Sequence, residues 1–198
     1  MIRVSVATSL AALVVSLAVT GLAAAQTPAP AQAKKPTAAT PAKAAATAPA
    51  TPEQLIITKS NDWQALVVQG QRGKLCYSIA KPRKLEPPGL AHGDVFFFVQ
   101  NRPKENVRNE PSLQVGYSMK EGSKVTVKVD ATAFTMFTRN DGAWMENPAD
   151  EPKLIEAMRK GKNLTIAATS GRGNPTSYAF QLAGIGTTID AAAKECGK

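Results

Sequence analysis

Two cysteines constrain this chain more than any other pair of residues: Cys76, inside the run LCYSIA, and Cys196, two residues from the C-terminus. Their surroundings say what each requires. The segment leading to Cys196 is SYAFQLAGIGTTIDAAAKEC, in which Tyr178, Phe180 and Leu182 alternate as one face of a strand. Gly184 and Gly186 end that strand, Thr187 stands at an N-cap position, and Asp190 follows at the capping-box spacing. In the helix that follows, Ile189, Ala192, Ala193 and Cys196 recur at i, i+3, i+4 and i+7, so Cys196 lies on the apolar stripe. In LCYSIA, Leu75, Tyr77 and Ile79 face one way, and Cys76, Ser78 and Ala80 form a side of small groups over which an alanine-lined helix can lie. We therefore expect a Cys76–Cys196 disulfide, the alternative being two separate buried thiols. A bond closing so long a loop contributes about 5 kcal/mol as an upper figure.

The rest of the folded region reads as strands. In SLQVGYSM, Leu113, Val115, Tyr117 and Met119 share one face, and with KVTVKVD beyond the KEGS turn the pattern predicts a hairpin. A second hairpin is predicted for TAFTMFT and AWM, around Asp141-Gly142. WQALVVQ, LCYSIA, DVFFFVQ, NLTIAAT and SYAFQL are further short strands rich in β-branched and aromatic residues. In ADEPKLIEAMRKGK the spacing predicts a helix: Asp150 as cap, Pro152 in the first turn, Leu154, Ile155 and Met158 as the apolar stripe, and Gly161 as the stop.

The chain divides unevenly. Arg3, the apolar run from Leu10 to Val19 and Ala23-Ala24-Ala25 form a secretory signal, residues 1–25, with cleavage expected after Ala25. Residues 26–54 form an Ala/Pro/Lys-rich linker, expected to be disordered because it offers little apolar surface to offset its ordering entropy. Residues 55–198 are the folded domain. The expected location is therefore the periplasm or the exterior, with no transmembrane segment once the signal is removed.

The formal charge of +9 includes Arg3 and the linker lysines, so the domain itself is only mildly basic. With no dense basic stripe and no recognition motif, nucleic-acid binding is excluded. His92 is the only histidine, which rules out a multi-histidine metal site, and no cofactor is expected. No nucleophile elbow accompanies His92 and Asp94, and GRGNP opens a strand rather than a helix, so neither hydrolase nor phosphate-cradling chemistry is supported. One charge feature is a candidate binding surface. Lys81, Arg83 and Lys84, together with Arg102, Lys104 and Arg108, would make a cationic patch for an anionic envelope polymer or host-surface component if their loops met at one end of the sheet.

DATAFTMFTRNDGAWM, LIEAMRKGKNLTI and the closing run to Cys196 resemble the invasion-associated locus B proteins of alphaproteobacteria, over about residues 60–196, with Ile185 where that family is expected to carry phenylalanine. The resemblance implies an exported, mainly β domain without a recognised enzymatic activity, in a family named for a part in host-cell entry.

The expectation is thus a mainly β, antiparallel sandwich or barrel-like domain with two short helices, one of them C-terminal. Its expected function is non-catalytic interaction at the envelope or cell surface, extending to host-cell association. A periplasmic enzyme or enzyme inhibitor, with a pocket at His92 or the 102–108 loop, and a small-ligand (lipid) carrier are the alternatives.

Overall fold

The structure, a computed structural model, describes residues 53–197. The signal peptide and nearly all of the expected linker lie outside them. The described chain forms strands β1 Gln54–Ser60, β2 Trp63–Gly70, β3 Gly73–Ala80, β4 Lys84–Glu86, β5 Phe96–Arg102, β6 Val107–Gln114, β7 Lys124–Val129, β8 Thr132–Arg139 and β9 Gly142–Met145, then helix α1 Glu151–Lys160. Strands β10 Asn163–Thr169 and β11 Pro175–Gln181 and helix α2 Ile185–Cys196 complete it. β1 begins at Gln54, within the stretch expected to be linker.

All eleven strands join one antiparallel sheet in the order β1-β2-β3-β5-β6-β9-β8-β7-β10-β11-β4. The sheet is not closed: β1 and β4 are its edges. It curls enough that Trp63 of β2, fully buried, donates its indole N–H to the Gln181 carbonyl of β11 at 2.8 Å. Inside the curl Phe97, Val99, Leu113, Val127, Met136, Ile166 and Tyr178 make a continuous core with Leu154 and Met158 of α1 and Ile189 of α2. Alternation along β7, where Val125, Val127 and Val129 are buried and Lys124, Thr126 and Lys128 exposed, shows how period-2 patterning selects the inner face.

The expected strand SLQVGYSM is a correction. β6 ends at Gln114, and β7 pairs with β8 and β10 instead of with residues 112–119. Beyond Gln114 the backbone hooks across several neighbours: Val115 N–H donates to Asp141 O, Gly116 to His92 O, Met119 to Asn140 O and Lys120 to Thr169 O. Leu113, Val115 and Met119 are nonetheless buried, because core-facing alternation survives where ladder pairing does not.

α1 forms as its sequence demands, with Pro152 in the first turn, Leu154, Ile155 and Met158 buried and the Gly161 amide donating to Ala157 O at 2.7 Å. Its expected cap is different. Asp150 makes no side-chain cap bond but pairs with Lys153 at 2.7 Å, while Asn147 Oδ1 accepts from the Ala149 amide of the preceding 3₁₀ turn. α2 starts two residues before Thr187. Gly184, at φ 90°, reverses the chain in the left-handed region, and a Cβ there would lie 2.5 Å from Ser60 O, so glycine sets the helix start in place of a threonine cap. Asp190 ion-pairs with Arg159 of α1 at 2.7 Å instead of completing a capping box.

α2 lies on the small-residue side of β3. Cys76 and Cys196 are bonded there, with Cα atoms 5.8 Å apart across 120 residues of sequence, in a cluster with Ala65 and Ala192. Lys74 adds an ion pair to Glu195 at 3.0 Å.

Candidate functional site

The expected cationic patch is not assembled. Pairing of β3 with β5 sets Cys76 opposite Asn101 and Ala80 opposite Phe97, so Lys81 and Arg102 lie at opposite ends of the strand pair. The two clusters cannot share one surface. Most of the cations are also neutralised locally. Lys81 pairs with Asp94 at 2.9 Å, Arg83 with Asp62 at 2.5 Å, Lys84 with Glu86 at 2.7 Å, and Arg102 with Glu105 and Glu110 at 2.7 and 2.8 Å. The Lys104 stem covers Gly73, and Arg108 is exposed. The run of cations is visible in the sequence, whereas Asp62 and Asp94 reach it only through the fold.

His92 belongs to a buried hydrogen-bonded chain. Its Nε2 lies 3.0 Å from Pro87 O and its Nδ1 3.2 Å from the Tyr178 hydroxyl, which lies 2.7 Å from the Tyr117 hydroxyl, itself 2.7 Å from Thr176 Oγ1. With Nε2–H donating to the carbonyl, Nδ1 accepts from Tyr178, Tyr178 from Tyr117 and Tyr117 from Thr176, whose single proton then turns away from Ala168 O at 3.3 Å. Burial pushes the Tyr178 phenol well above the usual tyrosine range. Among the described residues the imidazole's hydrogen-bond partners are the Tyr178 hydroxyl and the Pro87 carbonyl, neither of them a carboxylate, and its ring edge-packs on Tyr178 at 5.5 Å. A depression of about 400 Å³ beside Leu90, Tyr117, Ser170 and Arg172 reaches Tyr117 but does not include the histidine. At the 102–108 loop the hollow is about 110 Å³, below the roughly 300–1,000 Å³ of small-molecule sites. Among the described residues no group of His, Cys, Asp and Glu is arranged to hold a metal.

An aromatic-lined concavity lies on the outer face of the sheet, over β3, β5, β6 and β9. It holds about 360 Å³. Cross-strand register builds it: Phe137 stands opposite Trp144, Trp144 opposite Ser112, Ser112 opposite Phe98 and Phe98 opposite Ile79, one transverse row spanning five strands. Tyr77 meets Phe98 with ring centroids 5.8 Å apart, and Phe137 meets Trp144 at 6.0 Å. The Trp144 indole reaches over Gly142, where a Cβ would come within 2.3 Å of the ring. Phe96, Phe98, Phe137 and Trp144 are only half-buried, while Phe97, between the first two, is fully inside.

Polar groups punctuate this aromatic floor. Gln100 is committed, donating to Ser112 Oγ at 3.1 Å and accepting from Arg102 at 3.1 Å. The Gln114 amide and the Asp141 carboxylate along the groove have no side-chain partner among the described residues. Among the described residues Asp141 is the only charged one lining it. Burial raises the Tyr77 phenol above its usual value, partly offset by the Gln54 amide donating to it at 2.6 Å.

The groove was not anticipated as a site, although its signal was present. Three consecutive phenylalanines in a strand of period 2 must place Phe96 and Phe98 on the face opposite Phe97. With Tyr77 already assigned to the face opposite Cys76, the sequence indicated an outward aromatic surface that no core accounts for.

A protein-family model described as Invasion associated locus B (IalB) protein matches residues 63–193. Among solved structures, invasion associated protein B from Bartonella henselae aligns with a TM-score of 0.52 at 17% identity, over 73% of this chain and 99% of that one. That likeness establishes a shared fold. No curated protein matches the chain in sequence.

Proposed function

The chain belongs to the invasion associated locus B family, and from that premise we propose that it is an exported, non-catalytic interaction protein of the cell envelope or surface, of use in contact with host cells. The observation that carries this reading is the groove on the outer face of the sheet. It is a solvent-facing aromatic surface held on paired strands, its one lining carboxylate, Asp141, is exposed, and among the described residues no His, Cys, Asp and Glu are grouped to hold a metal. Sites on rigid elements hold their geometry better than sites on loops, which suits recognition. A closed Cys76–Cys196 bond supports passage through an oxidising compartment, and no helix among the described residues is long and apolar enough to cross a membrane.

Immobilised wild-type protein is expected to retain an envelope or host-surface component that the groove variant Trp144→Ala does not. Equal retention by both proteins would overturn the groove as the binding surface. Intact mass of exported material should correspond to a chain beginning at Gln26 with no free thiol. A free-thiol count of two would remove the support for export through an oxidising compartment.

A further inference from the structure

The chemistry of the groove narrows its ligand. Its lining contains no lysine or arginine, so an anionic polymer has no counter-charge there, and its one carboxylate, Asp141, would repel such a chain. A peptide added as a strand needs an open sheet edge. The groove lies mid-sheet, where β3, β5, β6 and β9 pair with one another. What the groove offers is flat aromatic faces, an amide and a carboxylate without partners, and no accessible backbone.

An uncharged pyranose fits that inventory. One face of the sugar ring presents polarised C–H groups to an aromatic plane, and its hydroxyls each donate and accept, matching Gln114 and Asp141. Spacing agrees. Trp144 and Phe98 flank Ser112 in register on adjacent strands, which at about 4.8 Å per strand puts them roughly 10 Å apart. That is the span of two rings in an extended β-1,4-linked chain, with the intervening ring over Ser112. The volume of about 360 Å³ is in the range for such a ligand segment.

We propose that the outer groove is a saccharide-binding site, taking a neutral β-1,4-linked oligosaccharide stacked on Trp144 and Phe98 and hydrogen-bonded by Gln114 and Asp141. This rests on the reading of the protein as a non-catalytic binder and names the chemical class of its partner. Phe98 and Trp144 set the axis of the bound chain. Asp141, as an acceptor for two hydroxyls, fixes its register and disfavours acidic sugars.

The test is calorimetric titration of the full oxidised chain with chitotetraose and cellotetraose. The wild type is expected to bind at least one of them saturably. Trp144→Ala weakens that binding about tenfold or more, and Gln114→Ala and Asp141→Asn, both at exposed positions, weaken it severalfold with an unchanged near-ultraviolet circular dichroism spectrum. Trp63 is fully buried, so binding also perturbs tryptophan fluorescence through Trp144. Absence of binding to both oligosaccharides overturns the inference, as does unchanged affinity in the Gln114 and Asp141 variants, or a decaproline peptide occupying the groove in preference to either sugar. If the wild type ignores both oligosaccharides but still retains an envelope component through Trp144, the saccharide assignment falls and the binding reading stands. If it retains nothing, both fall.

Discussion

Ser78 Oγ and Thr188 Oγ1 lie 2.7 Å apart, both fully buried, where α2 crosses β3. Thr188 donates its single hydroxyl proton to Ile185 O at 3.0 Å, so Ser78 is the donor and Thr188 the acceptor. This polar contact fixes the roll of an otherwise alanine-lined helix over the small-residue face. Thr188→Val leaves the Ser78 hydroxyl buried without an acceptor, at a cost of about 1–3 kcal/mol. The double variant Ser78→Ala, Thr188→Val removes both groups and should be more stable than Thr188→Val alone. Urea midpoints of wild type and the two variants give the answer, and a double variant no better than the single one would show that the contact does not orient the helix.

Beyond that contact, the Cys76–Cys196 bond ties the last turn of α2 to the third strand. Closing a loop of 120 residues restricts the unfolded chain strongly, and loss of such a bond typically costs about 2–5 kcal/mol. Reduced protein, or the paired variant Cys76→Ala, Cys196→Ala, should therefore unfold at clearly lower denaturant. α2 should lose amide protection before the central strands do, because its remaining anchors are the Ser78–Thr188 contact, the Lys74–Glu195 and Arg159–Asp190 pairs and a short apolar stripe through Ile185 and Ile189. Hydrogen exchange on reduced protein measures this. Simultaneous exchange of α2 and β5 would indicate one cooperative unit without a separable helix.

Asp130, at φ 49° in the β7–β8 turn, accepts from the amides of Lys162 at 3.0 Å and Asn163 at 3.1 Å. Those bonds, the Lys162 amide foremost, hold its carboxyl below the usual range although desolvation opposes them. A carboxyl depressed in the folded state contributes stability that is present above the unfolded value near 3.9. That contribution is lost as pH falls through the folded value. Asp130→Asn keeps an acceptor oxygen and tolerates the left-handed backbone but does not titrate. The wild type should be the more stable at neutral pH, and its advantage over Asp130→Asn should shrink as pH drops from about 5 to about 3. Urea midpoints across that range measure the effect, and parallel curves would contradict it.

Legibility in the sequence followed whether a pattern needed one partner or several. The β8–β9 hairpin, α1 and the burial of Cys196 were readable because alternation and a helical stripe are local signals, but the reversal falls one residue before Asp141-Gly142: Gly142 is in β9 opposite Arg139, and Asn140 takes the positive φ of 54°. β6 escaped because Pro111, in NVRNEP, argues against a strand. The fold tolerates it because β9 pairs only with Ser112 to Gln114, leaving Pro111 beside a single neighbour, β5. Residues 115–119 of the hook were read as a strand because buried alternation looks the same whether the backbone bonds to one ladder or to three separate neighbours, the 140–141 turn, His92 and Thr169. The two cation clusters were legible but their counter-charges only in part: Glu86 and Glu105 stand close in sequence to Lys84 and Arg102, whereas Asp62 reaches Arg83 and Asp94 reaches Lys81 only after the chain has folded. The aromatic groove was half-legible. Parity placed Tyr77, Phe96 and Phe98 outward, but that β6 and β9 would carry Ser112 and Trp144 into the same row depended on strand order, which no local pattern encodes.

Tyr178 yields the last prediction. Its phenol is fully buried, and burial foremost drives its ionisation far upward, with the Tyr117 hydroxyl adding to the shift and the Thr176 hydrogen bond opposing it. A tyrosine raised in this way disfavours its charged form in the folded state, so stability is unaffected below the unfolded value near 10 and declines as pH rises above it. In a titration followed at the phenolate absorbance, Tyr178 should ionise only together with loss of the near-ultraviolet dichroism. Tyr178→Phe removes that late ionisation and with it part of the alkaline decline. It also leaves His92 Nδ1 without its donor, which lowers stability near neutrality by about 1–3 kcal/mol. The two effects have opposite signs, so the stability curves of wild type and Tyr178→Phe should converge as pH rises past the ordinary tyrosine range. Ionisation of all three tyrosines in protein that remains folded would mean that the His92–Tyr178–Tyr117 chain opens to solvent.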